Sequence, residues 1–126
     1  MISAPKGVLR LAALKLLSES SLSGTDLAKQ MERVSGGRWR PGPGSVYLML
    51  KELHGKGLIT ELPKRGGTVR RYIITSKGKD ELAKMSKETG TEVARQLGVL
   101  SVYSRLAGRA DLSKTLDSVA SDLQKA

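Results

Sequence analysis

Gly42-Pro43-Gly44-Ser45-Val46-Tyr47-Leu48-Met49-Leu50-Lys51-Glu52-Leu53-His54-Gly55-Lys56-Gly57 reads as a short helix with marked ends. Proline suits the first helical turn, where its missing N–H costs nothing, and Gly42 before it is a tolerable N-cap. Gly55 and Gly57 offer positive-φ stops at the other end. Val46, Leu50 and Leu53 fall at i, i+4 and i+7 with Met49 on their flank, so one side of the helix is buried. The other side carries Ser45, Tyr47, Leu48 and Lys51. A helix that buries one side and presents a hydroxyl, a phenol and a lysine near its start is suited to a groove of a nucleic acid.

The charge supports a polyanionic partner. The chain has 126 residues, 22 Lys and Arg against 12 Asp and Glu, and a net charge of +10. Residues 1–77 hold 14 basic and 5 acidic side chains, whereas residues 78–126 hold 8 and 7. Charge kept only for solubility has no reason to be segregated in this way. The length fits one domain with a helical extension. Cysteine is absent, which excludes disulfides, a thiol nucleophile and a cysteine metal site. One histidine, no spaced metal cluster and no phosphate-cradling glycine loop after a strand argue against an enzyme, and no cofactor is expected. Gly36-Gly37 and Gly66-Gly67 read as turns. No apolar run is long enough to span a membrane, and Met1–Lys6 lacks the apolar core of a signal peptide, so the expected location is the cytoplasm.

Working outward, residues 7–19 form a first helix in which only Arg10 and Lys15 interrupt the run from Val8 to Leu17. So wide an apolar stripe implies burial on more than one side. Ser20-Ser21-Leu22 reads as a turn. Ser23 then caps a second helix running to about Val34, with Asp26 as the acidic member of a capping box and Leu27, Met31 and Val34 buried. The start of this helix, with Ser23 and Thr25, has two readings: plain capping, or a grip on a phosphate. Between the second helix and the quoted one lie Arg38, Trp39 and Arg40. Trp39 reads as a plug at the base of the motif; the arginines are either solvated or on phosphates.

After Gly57 the pattern changes to strands, 58–62 and 69–75, joined by a basic loop. Lys64, Arg65, Arg70 and Arg71 place four positive charges near the hairpin tip. Such charge protects an edge strand from aggregation, or it makes a wing that touches DNA. Tyr72 is expected in the core at the base of the hairpin, and Tyr47 on a phosphate or against the hairpin. Ser76 then caps a long helix to about Leu106, where Gly90 and Gly98 allow a kink. Leu82, Met85, Val93, Leu97 and Leu100 line one stripe of it. Gly108 is a stop. Asp111 caps a last helix with Leu112, Leu116, Val119, Ala120 and Leu123 on one side. These stripes have little to bury against in one small chain, and a second copy is the economical cover.

The fold class expected is therefore mainly α with a small β-hairpin: a winged helix-turn-helix over 1–78 and C-terminal dimerisation helices over 79–126. The residues carry a more specific likeness. Leu22–Leu27, Arg38–Tyr47, Leu50–Leu53, Gly57–Ile59 and Arg70–Gly78, in this order and spacing, resemble the PadR family of transcriptional regulators over about residues 5–85. The resemblance implies a homodimer that represses transcription at an inverted-repeat operator on double-stranded DNA, often relieved by a small-molecule effector. It implies a recognition helix with Ser45, Tyr47 and Lys51, and a wing with Lys64, Arg65, Arg70 and Arg71. The chain departs from the family at Thr25, where tyrosine is frequent, and at Leu48, where proline is common. Leu48 puts an apolar side chain where a thymine methyl can meet it. Some relatives bind flat aromatic drugs between aromatics at the dimer interface; the C-terminal half here has Tyr103 and no Trp. A sequence-tolerant, chromatin-type DNA-binding protein is the rival reading of the same basic charge.

Overall fold

A computed structural model describes residues 6–64 and 67–125; Met1–Pro5, Arg65, Gly66 and Ala126 lie outside the described residues. The order of elements is α1 (Lys6–Glu19), β1 (Leu22–Ser23), α2 (Gly24–Val34), α3 (Pro43–Gly55), β2 (Ile59–Glu61), β3 (Arg71–Ile74), α4 (Ser76–Leu106) and α5 (Ala110–Lys125). Contacts divide the chain into Met1–Ala83 and Lys84–Ala126.

In the first unit, α1, α2 and α3 pack around an aliphatic core. Ala13, Leu14, Leu17, Leu27 and Met31 have no exposed surface, and Val46, Met49, Leu50 and Leu53 close the core from α3. The other side of α1 is only half-buried at Leu9, Leu11, Ala12 and Leu16. Val34 departs from expectation. It is 61% exposed because it ends α2, where the chain turns away through Gly36 and Gly37, both at positive φ.

The sheet is antiparallel with β3 between β1 and β2. The expected turn at residues 20–22 gives way to β1, in which Leu22 pairs with Tyr72 and Ser23 with Arg71. On the other edge Ile59 pairs with Ile74 and Glu61 with Tyr72. Leu62 and Thr75 extend the hairpin by donating to the carbonyls of Arg71 and Leu58. Ile59 and Ile74 are buried and Tyr72 is half-buried at the base.

The end of α3 corrects one expectation. Gly55 stays helical and Gly57 alone turns to positive φ, at 73°. The Gly57 N–H donates to the His54 carbonyl and the Leu58 N–H to the Leu53 carbonyl, which is the Schellman pattern. The cap of α4 is also one residue earlier than expected. The Thr75 hydroxyl accepts from the Gly78 N–H at 3.0 Å, while Ser76 is already in the helix. The first turn of α4 runs against the end of α3 at Gly78. A Cβ there would sit 2.0 Å from the Leu58 carbonyl oxygen.

In the second unit, α4 continues without a break through Gly90 and Gly98. It ends in another Schellman pattern at Gly108, with Arg109 donating to the Ser104 carbonyl at 2.7 Å. Asp111 lies inside the first turn of α5 rather than before it, and Arg109 holds it through two hydrogen bonds. Ser101 and Ser113 meet in the buried seam between α4 and α5, with their hydroxyls 2.7 Å apart. On the surface, hydrogen bonds from Arg95 and then Gln96 hold the Glu92 carboxyl down at about 2. That contribution is complete above the ordinary carboxylate value and is lost only as pH falls toward 2.

Two substitutions in one helix separate close approach from propensity. Gly78→Ala should destabilise by about 2–3 kcal/mol, because carbonyl and helix must move apart. Gly90→Ala meets nothing within 4 Å and should stabilise by up to about 1 kcal/mol. Urea midpoints moving in opposite directions would confirm both; a neutral Gly78→Ala would show that the junction can open.

Candidate nucleic-acid interface

The exposed side of α3 carries the residues expected there. Tyr47 and Leu48 are 63% and 65% exposed, and Ser45 and Lys51 are exposed beside them. Their presentation follows from how the opposite side is held. Val46, Met49, Leu50 and Leu53 face the core, Arg10 of α1 pairs with Glu52, and Lys56 holds the same carboxylate at 3.1 Å. The helix cannot rotate without exposing four apolar side chains and breaking that pair. Gly42 gives α3 no side-chain cap, so the N–H groups of its first turn keep their capacity to donate.

At the start of α2, Ser23 is buried and its hydroxyl accepts from the Asp26 N–H at 3.2 Å. That is the capping arrangement, and it fixes the position of Thr25, which is exposed. The segment before α3 hangs on Trp39, which is 7% exposed as the expected plug. Ser35 secures it twice: its hydroxyl donates to the Trp39 carbonyl and accepts from the Trp39 N–H. The indole N–H is itself buried without a hydrogen-bond partner. Arg38 and Arg40 on either side are exposed, and Arg40 lies 3.5 Å from Glu32.

On the hairpin, Arg70 lies 3.7 Å from Glu61, while Arg71 and Lys64 are exposed. Arg65 is outside the described residues. Exposed pairs such as Arg40–Glu32 and Arg70–Glu61 contribute little and exchange readily for another anion. Arg38, Lys51, Lys64 and Arg71 have no ion-pair partner among the described residues.

The fold brings four of these residues from four separate segments around one cavity of about 680 Å³: Thr25, Arg40, Tyr47 and Arg70. Lys64 and Arg71 lie instead at a smaller hollow of about 420 Å³ beside Leu62 and Pro63. Ser45, Leu48 and Lys51 line neither and stand on the open side of α3. Arg10 and Glu52, which orient α3, escaped the sequence reading. The signal available was that Glu52 is one of only five acids among residues 1–77. No group of three or more potential metal ligands occurs among the described residues.

A basic helix-turn-helix with a hairpin beside its third helix now has its relatives. Residues 13–84 match the model of the Transcriptional regulator PadR-like family. The chain belongs to this family. The family and the relatives below are transcriptional regulators, not enzymes. Transcriptional regulator YqjI of Escherichia coli strain K12 is 28% identical over 112 residues, which make up 89% of this chain and 53% of that one. The chain thus spans about half the length of the curated relatives it matches. A crystal structure of a PadR-like transcriptional regulator from Bacillus cereus superposes with a TM-score of 0.66 at 24% identity, covering 75% of this chain and 93% of that one. A PadR family transcription regulator from Clostridium difficile gives a TM-score of 0.55 at 25% identity over 64% and 84%. No helix among the described residues is long and apolar enough to cross a membrane.

Trp39 offers a test of how the arginine segment is anchored. Trp39→Ala should cost about 3–5 kcal/mol through the cavity left behind. Trp39→Phe should cost much less, since the lost indole N–H has no partner. Equal costs in chemical denaturation would mean that the N–H, rather than the volume, holds the segment.

Proposed function

We propose that the protein is a sequence-specific repressor that binds an inverted-repeat operator as a homodimer and responds to a small-molecule effector. The observation that carries the DNA half is the exposed side of α3, with Ser45, Tyr47, Leu48 and Lys51 turned away from a core that fixes the helix. In this reading α3 enters the major groove. Ser45 and Lys51 meet base edges or phosphates, and Leu48 meets a thymine methyl. Tyr47, Thr25, Arg38 and Arg40 take phosphates on one side of the groove, and the start of α2, fixed by Ser23, supports them. Lys64, Arg65, Arg70 and Arg71 take phosphates from the hairpin. These cations supply most of the affinity by releasing counterions. In this reading the protein works in the cytoplasm.

The homodimer is supported by what the second unit leaves uncovered. Val93, Leu100, Val119 and Leu123 are 41%, 52%, 44% and 37% exposed. Leu82, Met85, Leu97 and Leu116 are half-buried in the single chain. Water contact over so many large apolar side chains is unfavourable, and a second copy relieves it for both. In a twofold dimer the two α3 helices read half-sites roughly 34 Å apart, one turn of DNA.

Fluorescence anisotropy with the DNA upstream of the protein's own coding sequence, against a scrambled duplex across a salt series, tests this directly. Much tighter binding to the upstream DNA, with steep slopes on both, is the expected result. Equal affinities would favour the sequence-tolerant, chromatin-type reading. Arg70→Ala should weaken binding to every sequence and lower the salt slope by about 1. An unchanged slope would remove Arg70 from the phosphate contacts. For the dimer, Leu100→Glu should shift sedimentation from dimer to monomer at micromolar protein; a wild-type chain that sediments as a monomer at all concentrations would end the dimer reading.

A further inference from the structure

The exposed side of α3 does not end at Lys51. Tyr47, Lys51 and His54 fall at i, i+4 and i+7 and are all exposed, so one stripe runs along the helix. Thr25, Arg40 and Arg70 gather with Tyr47 around the first half of α3, and the α3 residues lining their cavity end at Leu50. His54 stands beyond them. Seven residues advance roughly 10 Å along a helix axis, and the major groove is about 12 Å wide between its two phosphate backbones. A helix laid across the groove with Tyr47 at one backbone therefore brings His54 to the other. The imidazole has no hydrogen-bond or ion-pair partner among the described residues.

The end of a helix ordinarily repels an anion, because its last carbonyls are the negative pole. Here that pole is covered. The Lys77 ammonium donates to the Lys56 carbonyl at 2.9 Å and the Thr75 hydroxyl to the Gly57 carbonyl at 2.6 Å. The one carboxylate of α3, Glu52, is held by Arg10 and Lys56. On the elements packed against α3, Glu32 of α2 lies at Arg40, Glu61 of β2 at Arg70, and Asp26 is in the first turn of α2. The first two turns of α4 carry Lys77, Lys79, Asp80 and Glu81, of which Lys77 reaches the turn after α3. His54 thus stands among Lys51, Lys56 and Lys77, with the Glu52 charge already compensated.

We propose that His54 is a further phosphate contact of DNA, made as the imidazolium, on the backbone opposite the one met by Tyr47, Arg40 and Arg70. The contact rests on the DNA reading above. A phosphate stabilises the protonated ring, so a neutral imidazole takes up a proton as the complex forms. Binding is then strongest at acid pH and weakens as pH rises through the range in which histidine titrates. The lysines around the turn keep their charge across that range, and His54 is the only histidine in the chain. No base edge takes part, so the pH dependence is the same on every sequence.

The test is fluorescence anisotropy of the full chain with a random-sequence duplex, between about pH 5.5 and 8 and over a salt series. His54→Gln and His54→Lys, both at an exposed position, are measured beside the wild type. The wild type should lose affinity by about threefold or more as pH rises. Its salt slope should fall over the same range by about 0.9 per chain bound, the counterion release of one contact. His54→Gln should bind at every pH as the wild type does at the alkaline end. His54→Lys should bind at every pH as the wild type does at the acid end. A glutamine variant that keeps the wild-type pH dependence would place the proton elsewhere; it would overturn this contact and leave the DNA reading standing. A wild-type salt slope that does not change with pH would overturn it in the same way. If no duplex binds at any pH or salt, the DNA reading fails and this contact fails with it.

Discussion

The first unit depends on how the carbonyls of residues 56–58, just past α3, are satisfied. A helix leaves its last carbonyls without intrahelical partners. The Gly57 and Leu58 N–H groups take the His54 and Leu53 carbonyls, and Thr75 and Lys77 take those of residues 56–58. The Thr75 hydroxyl donates to the Gly57 carbonyl at 2.6 Å, the Lys77 ammonium to the Lys56 carbonyl at 2.9 Å, and the Thr75 N–H to the Leu58 carbonyl at 3.0 Å. The same hydroxyl oxygen accepts from the Gly78 N–H in the first turn of α4. One threonine therefore ties down the turn after α3, follows β3 and caps α4. Gly78 is the condition for it, since any side chain would strike the Leu58 carbonyl. The exposed side of α3 and the base of the hairpin are held in one relation by this junction. A groove-reading helix and a flanking hairpin need that relation to be fixed before DNA arrives.

Charge is arranged with similar economy. Among residues 1–77 there are only five acids. Glu52 ties α1 to α3, Glu32 and Glu61 rest against Arg40 and Arg70, Glu19 sits beside Lys15, and Asp26 occupies the first turn of α2. Each has a local structural use, so none sets up a negative field on the exposed side of α3. Glu52 belongs to a partly buried pair whose loss would strand the Arg10 guanidinium. Glu32 and Glu61 are different. They lie 3.5 and 3.7 Å from arginines that are more than half exposed.

Much of this was legible in the sequence because it is local. Pro43 and Gly57 mark the ends of α3, Ser23 and Asp26 mark the start of α2, and the spacing of Val46, Leu50 and Leu53 sorts one side of a helix from the other. What escaped is what depends on partners distant in the chain. β1 has two residues, and it is a strand only because β3 offers Arg71 and Tyr72 opposite it. Thr75 and Ser76 are both good caps, and only the approach of Gly78 to Leu58 decides between them. Gly55 and Gly57 are both permissive, and the Leu58 to Leu53 hydrogen bond selects the second. The cavity is the extreme case. Its walls come from four segments, none of which carries a ligand motif of its own.

The C-terminal helices show why an apolar stripe does not name what covers it. Their stripes call for a cover that one small chain does not supply. The buried residues shown to meet across the seam between α4 and α5 are Ser101 and Ser113. The serine hydroxyls satisfy each other and the Ser113 carbonyl, and Arg105 reaches Ser113 and Asp117 across the turn. The two helices are joined through these short polar bonds, which bury little apolar area. Val99, Leu100, Val102, Tyr103 and Leu106 are left outside in consequence, from 44% to 79% exposed. A hairpin built this way gains little from its own seam. The large side chains it turns outward supply the missing stabilisation only when a second surface covers them.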